Sequence, residues 1–217
     1  MRRHESTARC GVLAVAAIFV RPQARAAFVQ ATASGPYVMS FIKCAIHSTF
    51  GECIGRRIRA GVYTRPGFGV LPRAVVWGFL GMGIKAAMTM FIMGAPAVLA
   101  EIGLPVTAAT VKTGSFALRF LCALSISVAM NSIFAPVFMT LHKVTDAHID
   151  ATGGTLRGFF TPIPVASILQ NINWSVMWHF VFKKTLPLFW VPAHTITFLL
   201  PSYLQVAFAA LLGVALG

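Results

Sequence analysis

The chain has the length of one domain at 217 residues, but 57% of it is apolar and only 11% charged, against about 25% charged in an ordinary soluble domain. With a mean hydropathy of +0.78 it lacks the polar surface that would hold a globule of this size in water. Eighteen Lys and Arg against five acidic residues give a formal charge of +13. These charges lie between apolar runs and not on a basic helix interleaved with aromatics, which argues against a nucleic-acid partner and for basic loops held on one side of a bilayer. The expected class is all-α: a polytopic membrane helix bundle of about four transmembrane helices of about 20 residues each, with an amphipathic interfacial helix before the last span.

Residues 1–33 read as a leader or N-terminal arm, and 34–217 as the membrane domain. Arg2, Arg3 and Arg9 precede an apolar run from Cys10 to Val20, too short to cross about 30 Å of hydrocarbon, and Ala-rich sequence follows through Phe28. The pattern fits a signal-peptide core. Its arginines, serine, threonine and single glutamate also fit an organelle transit peptide, and a short core followed by Ala-Phe has the shape of a bipartite secondary-plastid leader. A ragged N-terminal arm is the remaining reading.

From Pro36 to Ile58 the apolar residues form a broad helical face, leaving Lys43, His47 and Glu52 as a narrow polar stripe. Glu52 and Arg56, four apart, are placed to pair on that surface. A basic loop follows, with Arg56, Arg57, Arg59, Arg65 and Arg73 among Gly61, Pro66, Gly67, Gly69 and Pro72. Ala74 to Ala100 is an apolar span with Lys85 near its centre. Gly78, Gly81 and Gly83 would admit a close helix neighbour, and Pro96 is expected to kink or end it. Ser115 to Leu141 is a second clear span, entered at Arg119 and interrupted by Asn131 and Pro136, whose missing N–H frees a carbonyl that something nearby must satisfy.

Residues 142–164 read as a polar loop. Val165 to Phe182 carries Gln170, Asn171, Asn173 and His179, too polar for lipid, and reads as an interfacial helix with Trp174 and Trp178 as belt residues. Lys183 and Lys184 anchor a last apolar stretch, Leu186 to Gly217, which Pro187, Pro192 and Pro201 divide into a short broken segment and a span. With spans near 36–55, 74–98, 115–141 and 187–217, the first and third loops hold most of the basic residues and should face the matrix, stroma or cytoplasm.

No catalytic constellation is present: there is no HExxH, phosphate-binding glycine loop or nucleophile elbow. The expectation is a non-enzyme without cofactor or metal. Cys10, Cys44, Cys53 and Cys122 lack metal-ligand spacing, and three of them lie within apolar or amphipathic stretches and read as small hydrophobes. Asp146, His148 and Asp150, beside His142, are metal ligands or simply a solvated polar loop.

Several motifs in order are similar to the Mpv-seventeen/peroxisomal membrane protein family: Gly51-Glu52-Cys53-Ile54-Gly55-Arg56, Arg73 eight residues before Gly81, and Phe134-Ala135-Pro136-Val137-Phe138. Asn173-Trp174 and the run Trp190-Val191-Pro192-Ala193 through Phe198-Leu199-Leu200-Pro201 continue the likeness, which covers residues 35 to 217. The chain departs from the family pattern at Met130-Asn131, where the family carries Asp-Gln, and lacks its C-terminal ending, so it resembles a divergent member. The resemblance implies four spans in an organelle membrane, most often the mitochondrial inner membrane or the peroxisome, and non-selective, regulated passage of small solutes. The leader pattern leaves a plastid membrane open as well, and the mitochondrial inner membrane is the expected location.

Two functions follow as expectations. In a pore, Glu52, Lys85 and Asn131 would face a water-filled interior or pair, because charges in lipid cost at least about 2.5 kcal/mol each. Glu52 would pair with Lys85 or an arginine of the first loop. The alternative is a structural accessory subunit of a respiratory or photosynthetic complex. The expected partners are the lipid bilayer and either further copies of the chain or a larger assembly.

Overall fold

The computed structural model describes residues 21–200 together with Phe208 and Leu212, both helical. The apolar run Cys10–Val20 and Pro201 lie outside the described residues. Among the described residues there is no strand. Over the described residues 21–200, eight helices follow one another: α1 Pro22–Ser34, α2 Pro36–Ala60, α3 Val70–Glu101, α4 Thr110–Thr113, α5 Phe116–Ala151, α6 Leu156–Phe159, α7 Val165–Asn171 and α8, which runs over 174–199.

Four of these are long, and α2, α3, α5 and α8 run in alternating directions as a bundle. Two of them, α3 and α5, are long and apolar enough to cross a membrane. The other long helices carry Lys43, Glu52, Arg56 and Arg57 on α2 and Lys183 and Lys184 on α8, charges that dilute their apolar content. Large apolar side chains stand exposed around the bundle, among them Val38 and Ile46 on α2, Phe79 and Met93 on α3, Ile133 and Val137 on α5 and Leu188 on α8. Only 28% and 39% of the apolar windows of α3 and α5 are buried inside the protein. Exposed apolar side chains along two helices of membrane-crossing length point, weakly, to a membrane protein.

The structure corrects several sequence expectations. Pro96 does not end α3, which continues to Glu101. The stretch expected as a loop from 142 is helical to Ala151. The interfacial helix is interrupted much earlier than Phe182: α7 stops at Asn171, and a new helix starts at Trp174 under an Asn173 cap, whose Oδ1 accepts from the Val176 N–H at 3.0 Å.

Pro187 and Pro192 do not break α8. The reason is a local widening: Met177–Trp190 is π-helical, so the N–H that Pro187 lacks is absorbed in a wider turn. Likewise Met130–Phe134 forms a π-helical turn inside α5, immediately before Pro136. There the Ala135 N–H reaches Met130 O, five residues back, and carries the ladder past the proline.

One apolar cluster, built on Val106, Val111, Cys122, Ala123, Ile126, Met130 and Phe198, joins α3, α5 and α8 at the end of the bundle that holds the α3–α5 connection. The opposite end is charged. α1 belongs to the stretch read as a leader, and it touches α2 through Lys43, whose Nζ donates to Thr32 Oγ1 at 2.9 Å and lies 4.4 Å from the Phe28 ring centroid.

Candidate functional site

Three of the five acidic residues of the chain converge on one arginine. Arg73, in the first turn of α3, is only 5% exposed. Its Nη1 donates to Glu52 Oε2 of α2 at 3.1 Å and to Asp146 Oδ1 of α5, its Nη2 donates to Asp150 Oδ1 of α5 at 2.9 Å, and its Nε donates to Phe68 O at 2.8 Å. The planar five-donor guanidinium suits this role, since it serves four acceptors at once from fixed directions.

The other carboxylate oxygen of Glu52 accepts from Trp77 Nε1 at 2.7 Å and lies 3.1 Å from His142 Nε2. His142 lies 3.7 Å from Asp146 Oδ1, and its ring packs on Trp77 with centroids 4.4 Å apart. His142 Nε2 thus faces two carboxylates at once.

Helix position alone would not favour these charges. Arg73 stands at the positive end of α3 and Asp150 at the negative end of α5, each about 0.3–1 kcal/mol unfavourable at such a terminus. Only their convergence compensates. It depends on a close loop contact: Gly69, at φ +69°, lies against Gly154, and a Cβ on Gly69 would stand 2.8 Å from the Gly154 Cα. Side chains at either place would push the 61–69 connection off the end of α5 and carry Phe68 O and Arg73 with it.

The pairing of Glu52 with Arg56 expected from their spacing is not made, because both Glu52 oxygens are taken by other elements. Arg56 lies instead over the Phe68 ring, 4.5 Å from its centroid, and Arg73 lies 4.7 Å from the same ring.

The other residues singled out from the sequence are scattered. Lys85 Nζ reaches Thr89 Oγ1 at 3.0 Å on its own helix. It stands twelve residues beyond Arg73, about 18 Å along α3. Asn131, 3% exposed in the π turn of α5, donates from Nδ2 to Ser127 O at 2.8 Å and lies 3.0 Å from His194 Nδ1 of α8, while its Oδ1 has no partner. Glu52, Lys85 and Asn131 therefore occupy three separate places. We expect the double-mutant cycle of Glu52→Gln and Lys85→Met to be additive within about 0.5 kcal/mol, read from thermal midpoints in one detergent.

Several of the motif residues behind the family resemblance sit at helix contacts, while Pro192 and Trp174 are exposed. Gly51 is buried on α2, and Phe134 packs on Phe138 with centroids 5.4 Å apart beside buried Ala135. Trp190 stacks on His194 at 5.0 Å, Pro192 lies inside α8 and Phe198 in the apolar cluster.

His142 and Asp146 were expected in a loop. On a helix the series 142, 146, 150 is one stripe at four-residue spacing, and that stripe faces Arg73 and Glu52. His148 is on another face, with Nε2 3.2 Å from Phe159 O. Glu52, His142 and Asp146 bring one possible metal-ligating atom each within 4.8 Å of one another. The Arg73 guanidinium already sits on both carboxylates, doing there what a cation would do.

Beside the network lies a partly open cavity of about 260 Å³, lined by Glu52, Arg56, Arg59, Phe68, Arg73, His142 and Asp146. Fold and site together define an all-helical bundle with two helices of membrane-crossing character and a charged cavity at one end. No family model matches the chain, and neither a curated protein nor a solved structure matches it.

Proposed function

We propose that the chain is a divergent Mpv-seventeen-like protein of an organelle membrane, the mitochondrial inner membrane first among the candidates, and that the charged end of its bundle is the gated vestibule of a path for small solutes. The observation that carries this reading is the cavity itself, with five ionisable side chains and His142 around it. In lipid, groups of this kind persist only when paired or wetted; Arg73 pairs with Glu52 and Asp146, and the cavity they share with Arg56 and Arg59 is partly open. Beyond the vestibule the apolar cluster around Ile126, Met130 and Phe198 closes the bundle. In this reading that cluster is the closed gate, and the Arg73 network, which ties α2, α3 and α5 together, is its latch.

The test is conductance of the full chain reconstituted in neutral-lipid bilayers. Asp150 is the outermost contact of the latch, with a side chain 50% exposed. An ion pair of that exposure contributes about 0.2–1 kcal/mol, so Asp150→Asn is expected to raise open probability between about 1.4- and 5-fold. A protein that never conducts and migrates on native gels only inside a large assembly overturns the pore reading in favour of an accessory subunit.

A further inference from the structure

We infer that the cavity at the charged end is an oxyanion site selective for a phosphate group, with Arg56 and Arg59 as the binding cations. Its role in solute passage rests on the vestibule reading above; the binding itself does not. The cavity lining holds three guanidinium groups, Arg56, Arg59 and Arg73, against two carboxylates, Glu52 and Asp146. Those carboxylates are not free to repel an anion at full strength. Glu52 receives Arg73 on one oxygen and Trp77 and His142 on the other, and Asp146 receives Arg73. Asp150, the third carboxylate, takes the outer Nη2 of Arg73 and does not line the cavity.

What is left over is positive. Among the described residues no carboxylate lies within ion-pair reach of Arg56 or Arg59. Arg56 Nε is buried with no hydrogen-bond partner, an uncommon state for a guanidinium that otherwise only stacks on Phe68. The two arginines are three residues apart on α2 and so share a face. Two forked guanidinium groups over one space match the charge and the paired oxygens of a phosphate, and about 260 Å³ admits a phosphate with a short carbon chain. The phosphate could belong to a free solute or to a lipid headgroup at the membrane surface.

The experiment titrates the full chain with inorganic phosphate in phosphatidylcholine nanodiscs, against chloride at equal ionic strength, and follows the thermal midpoint. A second arm repeats the melt in nanodiscs containing phosphatidic acid without added phosphate. Arg59 is exposed and among the described residues makes no ion pair, so Arg59→Gln is the leading variant, Arg56→Gln the second and Arg65→Gln the control outside the cavity. The expected result is a saturable rise with phosphate whose apparent affinity falls at least about tenfold in Arg59→Gln and in Arg56→Gln and is unchanged in Arg65→Gln. A rise confined to the phosphatidic acid arm, with the same arginine dependence, also supports the site and assigns its phosphate to the headgroup. No rise in either arm, or a rise equal in wild type and both cavity variants, overturns it. Because conductance is not read, a protein that binds phosphate and does not conduct loses the pore reading alone.

Discussion

Arg73→Met should be the most damaging single charge change in the chain, lowering stability by about 3–5 kcal/mol. Methionine keeps the length and apolar stem of the side chain and removes every donor. Glu52 Oε2, Asp146 Oδ1, Asp150 Oδ1 and Phe68 O then lose their common partner at a position that is 5% exposed. The loss exceeds the worth of any one ion pair, because three negative charges are left together in a space that their counterion used to fill. Arg73→Lys should fall between wild type and methionine: the charge remains, but a single ammonium cannot serve four acceptors from the directions of a planar fork.

Interaction within the cluster gives the diagnostic. Glu52→Gln in the wild-type background removes one partner of Arg73 and weakens the bond to His142, whereas in the Arg73→Met background it relieves repulsion. The double variant should therefore be more stable than the sum of the singles by more than about 0.5 kcal/mol. Thermal midpoints in one detergent, with Trp77 emission as a local reporter, decide this. If Arg73→Met melts within about 0.5 kcal/mol of wild type, as an ordinary surface substitution would, the cluster is solvated and is no latch.

The helical class and the two apolar spans could be read from composition and run length, since apolar stretches with one internal charge leave few other structures open. The site was legible only in part. Glu52 and Arg73 stand out by charge and by motif, but their partners were hidden by a boundary set at Leu141, where apolar character fades. Helix α5 continues for ten more residues, and its stripe of His142, Asp146 and Asp150 is satisfied by Glu52 of α2 and Arg73 of α3, a tertiary reason that one-dimensional hydropathy does not contain. The four-residue spacing of His142, Asp146 and Asp150 was the available signal. Similarly, Pro187 and Pro192 mark a break only if the backbone keeps α-helical pitch, and the π-helical stretch removes that premise. Trp77 carried no signal at all: its indole N–H matters only because α2 brings Glu52 within 2.7 Å.

Glycine is the second place where one atom should matter most. On α3, Gly78 and Gly81 are buried against α2. A Cβ on Gly81 would lie 2.5 Å from Cys44 Cβ, 2.6 Å from its Sγ and 2.7 Å from Ser40 O. The last of these is backbone, so no rotamer relieves it and α2 itself must move. A Cβ on Gly78 would meet the Phe41 ring at 2.4 Å, and that ring is braced edge-on by Phe79 with centroids 5.3 Å apart. Gly83 has nothing within 4 Å of its Cβ position. Gly81→Ala is thus expected to cost about 1–3 kcal/mol by overpacking, and Gly81→Leu more. Gly83→Ala should be neutral or gain up to about 1 kcal/mol, because alanine loses less backbone freedom in a helix. The damage at Gly81 should also travel: Glu52 lies eight residues beyond Cys44 on the same rigid helix, so displacing α2 draws it away from Arg73, and Trp77 emission should change with Gly81→Leu and not with Gly83→Ala. Equal damage from Gly81→Ala and Gly83→Ala would contradict a seam confined to α2 and α3. It would mean that the open face at Gly83 is covered in the membrane by another chain, the arrangement an accessory subunit requires.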